Sequence, residues 1–181
     1  MKVTQEEIEL KNGYSEIKIK NRKGDVVGVT KIDTSDVERV INKFVVFMNN
    51  GYVCIKHDSR NIGLHRYLTK AEYGEEVDHI NGDRADNRKE NLRRCTRSQN
   101  FMNKCKQRNN KSGFRGVMWY NYRGVNKWMA YITVNRKRKH LGYFDDIEDA
   151  IKARVEAEKI YHGEYRTNDT RWEVTYWDKG M

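Results

Sequence analysis

Asp78-His79-Ile80-Asn81-Gly82-Asp83 opens a run that closes at Asn100, and its residue types suit the hydrolysis of a phosphodiester. The His79 imidazole, with an ordinary pKa near ~6.5, could take a proton from water at neutral pH. The Asp78 carboxylate and the Asn100 carbonyl oxygen are hard donors, suited to one Mg²⁺ or Mn²⁺ ion and not to a soft, thiolate-bound metal. A phosphodiester repels an incoming nucleophile and gains charge as it is attacked, so a divalent ion against the phosphate helps at both stages. Asp78 and Asn100 bring a single negative charge between them, which predicts weak ion binding until phosphate completes the shell. The chemistry asks that the imidazole face solvent while both oxygens reach one ion. A polar hairpin loop would use Asn, Gly and Asp for its turns alone. Turn chemistry does not explain Asp-His at a strand end with an amide downstream.

The flanking pattern supplies the elements to position these groups. Glu75 to His79 reads as a strand ending at the reactive pair, Asn81-Gly82-Asp83 as a turn, and Leu92 to Thr96 as the returning strand. Asn87 is expected to cap a one-turn helix over Asn87-Arg88-Lys89-Glu90, with a metal or phosphate role as the alternative. A helix from about Ser98 to Lys106 carries Asn100 in its first turn.

Upstream, Glu16–Lys20 and Val26–Thr30 form a hairpin, and Ser35-Asp36-Val37-Glu38 matches a capping box before Val37, Val40, Ile41 and Phe44 at helical spacing. A second hairpin joins Phe44–Met48 to Tyr52–Ile55 through Asn49-Asn50-Gly51. Leu64–Leu68 is a short strand or a helical turn. Within it, His65 is either a buried histidine or a phosphate contact, and Arg66 could bind a nucleic-acid backbone.

Downstream, Asn109-Asn110-Lys111-Ser112-Gly113 is a polar linker. Strands follow over Phe114–Tyr120, Lys127–Val134 and Lys137–Phe144, then a helix from an Asp145-x-x-Glu148 capping box to Tyr161. Ile147, Ala150, Ile151, Val155, Ala157 and Ile160 form much of its inward face, and Gly163 is its stop. Arg171–Trp177 alternates like a strand with no evident partner.

Charge is distributed unevenly along the 181 residues. The formal net charge is +10, yet fourteen Lys and Arg and no Asp or Glu lie between Asn91 and Phe144, leaving twenty-two basic and twenty-six acidic residues elsewhere. A solvated exterior mixes its signs, so this segment points to a polyanionic partner. Three widely spaced cysteines, Cys54, Cys95 and Cys105, favour neither a disulfide framework nor a zinc knuckle, and reduced intracellular thiols are expected. No apolar stretch approaches the roughly 20 residues of a membrane span, and a membrane role is not expected.

Strand, loop, strand and helix, with Asp-His at the first strand end and Asn on the helix, resembles the ββα-metal site of HNH endonucleases. The matching residues are His79, Asn91 and Asn100, an His-Asn-Asn variant with Asp78 before the histidine. Leu64-His65-Arg66, Val77-Asp78-His79-Ile80-Asn81, Asp86-Asn87-Arg88, Asn91-Leu92-Arg93 and Ser98-Gln99-Asn100 are similar to the homing branch common in bacteriophages, over roughly residues 30–105. The resemblance implies that Asn91 clamps the loop to the strand and orients His79.

Residues 112–165 resemble the Apetala-type (AP-two) DNA-binding domain. The likeness rests on Ser112-Gly113-Phe114-Arg115-Gly116-Val117, Lys127-Trp128-Met129-Ala130-Tyr131-Ile132, Lys139-His140-Leu141-Gly142-Tyr143-Phe144, and Glu148-Asp149-Ala150 through His162-Gly163-Glu164. Alternation independently sets Trp128, Ala130, Ile132 and Val134 against the helix, with Met129, Tyr131, Thr133 and Asn135 on the other side. A sheet laid in the major groove would present Arg115, Trp119, Tyr131, Thr133, Arg138 and His140 to DNA. Arg66, Arg93, Arg94, Arg97 and Lys104 would hold DNA beside the nuclease site.

The fold class expected is α+β: a small β-rich N-terminal unit (1–63), a ββα-metal core (64–108), a linker (109–113), a three-stranded antiparallel sheet packed on one helix (114–165), and a tail (166–181). The function expected is a site-directed, monomeric endonuclease on double-stranded DNA, using one Mg²⁺ or Mn²⁺ ion and leaving 5′-phosphate and 3′-hydroxyl ends. One active site favours nicking, with sequential cuts giving a double-strand break as the alternative. Homing, and a bacterial host cytoplasm for a phage-encoded enzyme, follow from the resemblance alone. The alternatives are a non-catalytic DNA-binding regulator with a structural HNH unit, and a structural zinc domain using Cys95 or Cys105.

Overall fold

The structure, a computed structural model, describes residues 4–103 and 112–166 and divides into two units, Met1–Asn100 and Phe101–Met181. Lys104, Cys105, most of the expected linker and the alternating tail lie outside the described residues.

In the first unit, β1 (Ile8–Leu10), β2 (Tyr14–Lys20) and β3 (Val26–Asp33) form an antiparallel sheet in that order. The period-two pattern of β2 buries Ser15, Ile17 and Ile19, and Ile17 lies opposite Thr30 of β3, also buried. Helix α1 (Thr34–Ile41) leads to β4 (Val45–Asn49), β5 (Tyr52–His57) and β6 (Arg60–Gly63), a second antiparallel sheet. Asn50 and Gly51 between β4 and β5 have φ of 48° and 77°, as a two-residue turn with both central residues left-handed demands. Leu64–Leu68 resolves as helix: α2 spans Leu64–Thr69, and the strand is β6 just before it. Strands β7 (Glu76–His79) and β8 (Leu92–Cys95) pair antiparallel and feed α3 (Arg97–Met102).

One apolar cluster joins these pieces. Ile17, Ile32, Val40, Val53, Ile55 and Leu64 share it with Val77 of β7 and Leu92 of β8, so the core is continuous across residue 63. Burial of each such side chain contributes roughly 1.5–3 kcal/mol. The expected capping box at Ser35 does not form. Because β3 runs on to Asp33, that residue is the N-cap of α1, without a side-chain cap bond. Its carboxylate instead accepts the Lys89 backbone N–H at 2.9 Å. Asp36 turns to Arg39 and Lys89, each at 2.8 Å. Charges expected to start a helix thus hold the far end of the loop after β7.

The second unit contains β9 (Val117–Tyr122), β10 (Val125–Val134) and β11 (Lys137–Phe144) in the order β11-β10-β9, with α4 (Ile147–Tyr161) on one face. Val117, Ala130, Ala150 and Ile151 form its core, with Trp128, Leu141, Phe144, Ile147 and Val155 packed around them. Ile160, expected inward, is 74% exposed. Ala150, Arg154 and Ala157 mark the buried stripe, and Ile160 falls well outside it on the helical wheel. The N-cap of α4 is Asp146; Asp145 pairs with Lys127 at 3.0 Å and does not cap.

Gly116 has φ of 78°, and a Cβ there would lie 2.4 Å from the Tyr131 carbonyl oxygen. Its own carbonyl accepts the Tyr131 N–H at 2.8 Å, so the backbones must approach closely. Gly116→Ala is expected to destabilise the second unit by about 2–3 kcal/mol. Urea unfolding followed by tryptophan fluorescence checks this, since all four Trp residues lie beyond residue 100.

Candidate active site

Strand β7 divides its side chains between two faces, and each face builds a different half of the site. Val77 and His79 point one way, Glu76 and Asp78 the other.

On the His79 face, the imidazole is 5% exposed, against the expectation that it faces solvent. It is enclosed by the His65 ring, edge-on at 5.1 Å between centroids, and by Tyr52 at 6.4 Å. Gly63 makes room for that packing, because a Cβ there would sit 2.5 Å from the His65 ring. Arg84 stacks over Tyr52 at 4.3 Å.

Asn87 is the polar partner of His79. Its Oδ1 lies 3.2 Å from His79 Nε2. Its Nδ2 donates to Thr30 Oγ1 at 3.0 Å and to the Ala85 carbonyl at 3.3 Å. An amide oxygen only accepts, so Nε2 must carry the hydrogen and Nδ1 the basic lone pair. Asn87 was expected to cap a helix. Instead the 3₁₀ turn Lys89–Asn91 has Arg88 as its N-cap, and Asn87 is fully buried. Its backbone explains why: Asn87 N–H donates to the Lys31 carbonyl at 2.8 Å, which holds it against β3.

Asn91 bonds the loop after β7 at two points. Its Oδ1 accepts the Asn81 N–H at 3.0 Å, and its Nδ2 donates to the Asp86 carbonyl at 2.7 Å. Asp86 anchors the same loop through Asn81 at 3.0 Å and Arg88 at 2.7 Å. Burial alone would raise the Asp86 pKa, but the Arg88 guanidinium more than offsets it and the group stays ionised.

On the opposite face, Asp78 lies across from Arg93 in the β7–β8 register, and Arg93 Nη2 and Nε donate to Asp78 Oδ2 at 2.7 and 3.0 Å. Glu76 lies across from Cys95, and its Oε2 accepts Asn100 Nδ2 at 2.5 Å. Burial first, and then the charges of Asp78 and Glu76, push the Cys95 thiol up to about 11. Among the described residues no group of three or more His, Cys, Asp and Glu side chains is placed to hold a metal. The oxygen donors of Asp78 and Asn100 are of the kind a hard divalent ion takes, with its remaining ligands from water and phosphate.

Residues 63–102 match the HNH endonuclease family. The match covers α2, the β7–β8 pair and α3, the segment just described. It supports a nuclease function for the first unit. No curated protein and no solved structure matches the chain.

The basic residues expected at DNA have varied surroundings. Arg66 donates to the Glu75 and Glu72 carbonyls at 2.5 and 2.8 Å. Arg94 donates to the Thr69 and Lys70 carbonyls at 2.5 and 2.9 Å. Both staple the HNH segment to itself, as Arg93 does through Asp78. Arg97 is exposed, and Lys104 lies outside the described residues.

In the second unit, Arg115 donates to the Met102 carbonyl at 3.0 Å and stacks over Phe101 at 4.6 Å. Trp119 does not share the Tyr131 face as expected. It lies directly opposite Trp128 in the β9–β10 register, with the rings 5.1 Å apart, and directly paired residues share a face, so it falls on the Trp128 side. The face turned from α4 holds Tyr131, Thr133, Arg138 and His140 as expected, together with Met118, Tyr120, Tyr122 and Tyr143. Arg138 stacks on Tyr131 at 4.0 Å, and Tyr143 lies 4.5 Å from His140.

Three histidines, His79 and His162 buried and His65 half-buried, sit where the imidazolium is disfavoured. Desolvation, with help from neighbouring positive charge, lowers His65 and His162 to about 4; desolvation also lowers His79, against the opposing pull of Asn87 and the nearby carboxylates. Unfolded chains protonate these rings near ~6.5 while the folded chain does not, so the unfolded state binds more protons and stability falls as pH drops from that value towards 4. Each of His65 and His162 is expected to remove up to about 2 kcal/mol between pH 7.5 and 5. Urea midpoints at the two pH values check this, and His65→Phe should flatten the loss in the first unit.

Proposed function

We propose that the chain is a metal-dependent DNA endonuclease in which His79 takes a proton from water, Asp78 and Asn100 hold one Mg²⁺ or Mn²⁺ ion, and the second unit binds flanking duplex. The observation that carries the reading is the Asn87–His79 contact, inside a segment that matches HNH endonucleases. An imidazole held in one tautomer presents a single basic nitrogen, Nδ1, and burial lowers its pKa and so keeps it unprotonated and available as a base at neutral pH. The ion, when bound, supplies charge neutralisation at the scissile phosphate and its leaving oxygen. His79 removes a proton from water as the water oxygen bonds to phosphorus. The bond to the 3′ oxygen breaks, and that oxygen takes a proton from solvent water, leaving a 5′-phosphate and a 3′-hydroxyl.

Asn91 keeps the loop closed over His79, and Arg93 orients Asp78. The open face of the second sheet, with Tyr131, Thr133, Arg138 and His140, contacts base edges in this reading, and Arg97 the phosphates. A single site acts as a nickase, and homing of a phage-type mobile element is the biology the motif wording favours. The burial of His79 favours the competing reading of a DNA-binding regulator with a structural HNH unit. On that reading the imidazole is simply core.

Supercoiled plasmid carrying fragments of genomic DNA separates the two. Wild type with Mg²⁺ should yield nicked circles, and His79→Ala should lower the rate about 10²–10⁴-fold without loss of fold. Asn87→Ala should lower it at least about tenfold, since the tautomer is no longer fixed. Absence of nicks from the wild type across all fragments would leave the regulator reading standing.

A further inference from the structure

We infer that Glu76 is a positioning residue for the proposed ion site, fixing the Asn100 side chain so that its oxygen and not its nitrogen is presented to the cation. The inference rests on the ion-binding reading above and extends it to a residue that the Asp-His-Asn-Asn pattern does not contain.

An asparagine amide is ambiguous as a metal ligand, because its oxygen coordinates and its nitrogen does not. Rotation by 180° about the last side-chain bond exchanges them at little steric cost. Asn100 sits on α3, near the surface and only half-buried, so packing alone does not choose between the two orientations. Glu76 does. Its carboxylate has only acceptors to offer, so the Asn100 group facing it at 2.5 Å must be Nδ2, and Oδ1 is turned to the other side of the amide. Glu76 comes from the start of β7, two residues before Asp78. Strand period two therefore puts it on the Asp78 face.

The neighbours agree with this placement. Cys95, directly across the ladder from Glu76, feels the charges of Glu76 and Asp78 together and meets the Asn100 backbone. Arg93 on Asp78 plays the matching part for the other donor: a charged group from the sheet grips each candidate ligand. An ordering partner of this kind typically changes metal affinity by about 10–100-fold.

Three variants of the full-length chain separate positioning from direct ligation and from no role. Glu76→Thr keeps a strand-favouring side chain but is too short to reach Asn100. Glu76→Val serves in its place if the Thr variant melts below the assay temperature. Glu76→Gln retains an acceptor for Nδ2 and loses the charge. Mn²⁺ is the probe. Free ion is measured by electron paramagnetic resonance against wild type, the variants and Asp78→Ala, and the Mg²⁺ concentration for half-maximal plasmid nicking is a second readout.

Positioning predicts that Glu76→Thr weakens Mn²⁺ binding and raises the Mg²⁺ requirement by about tenfold or more, while Glu76→Gln stays within about threefold of wild type. Equal binding by wild type and Glu76→Thr overturns the inference and leaves the nuclease reading intact. Equal loss in the Thr and Gln variants also overturns it, since charge or direct ligation would then be what Glu76 contributes. Mn²⁺ binding no weaker in Asp78→Ala than in wild type overturns the ion site itself, and this inference with it.

Discussion

The buried amide of Asn87 is the interaction on which the arrangement of the first unit turns. It is fully enclosed, and both ends are committed: nitrogen to Thr30 and the loop carbonyls, oxygen to His79. Leaving a buried polar group without its partner costs roughly 1–3 kcal/mol, so the amide cannot be relaxed at one end without penalty. Its nitrogen reaches back to β3, 57 residues earlier in the chain, where Thr30 also donates to the Ala85 carbonyl at 2.8 Å. A single parallel bridge between Lys31 and Asp86 completes the seam. The N-terminal sheet is therefore part of the wall that fixes the orientation of the candidate base, and is not an appendage to the HNH segment.

That seam reconciles two demands on neighbouring residues. Asp78 and His79 are adjacent on a strand, and period two sends their side chains to opposite faces. One substrate phosphate can meet both only where the strand stops. β7 does stop at His79, and the chain turns at once, with the Gly82 N–H donating to the His79 carbonyl at 2.9 Å. The loop that follows is closed by Asn91 and Asp86, whose side chains hold Asn81. Turn residues here do serve turn geometry, and the turn they make begins directly at the end of β7, beside Asp78 and His79.

Much of this could be read from the chain, and the parts that could not share a cause. Both hairpins, the β7–β8 pair and the α4-facing stripe of β10 follow from alternation and turn residues, which are local signals. Asn91 was legible through the spacing of the HNH pattern. Asn87 was not, because its role depends on Thr30, and no short window contains both. The capping boxes at Ser35 and Asp145 failed for a similar reason: distant partners (Lys89 for Asp33 and Asp36, Lys127 for Asp145) engage those carboxylates. Glu76 carried a usable signal, since a residue two before Asp78 must share its face. Trp119 was assigned to the wrong face because the β9 register was not anchored. Pairing it with Trp128 corrects it.

The basic segment shows why net charge and contact are separate properties. Arg93, Arg94 and Arg115 all lie in it, and all donate to acceptors in their own unit. Their hydrogen bonds are largely committed: Arg93 to Asp78, Arg94 to the Thr69 and Lys70 carbonyls with Glu75 at 3.5 Å, and Arg115 to the Met102 carbonyl. The segment's charge still attracts a polyanion over about 10 Å at 0.1 M salt, whatever the donors are bonded to. Discrimination among sequences needs groups that can reach base edges, and in the second unit the face proposed for that role is richer in tyrosine and methionine than in arginine. Tyr131 with Arg138 stacked on it, Met118 and Tyr143 offer apolar and π surface more than forked donors. Apolar surface of that kind meets the thymine methyl group more readily than the acceptor edge of guanine. Under the proposed DNA-binding reading, attraction would come from the concentrated charge of this segment and selection from the aromatic face, which fits a chain whose basic residues cluster in one segment while the sheet face turned from α4 is mostly uncharged.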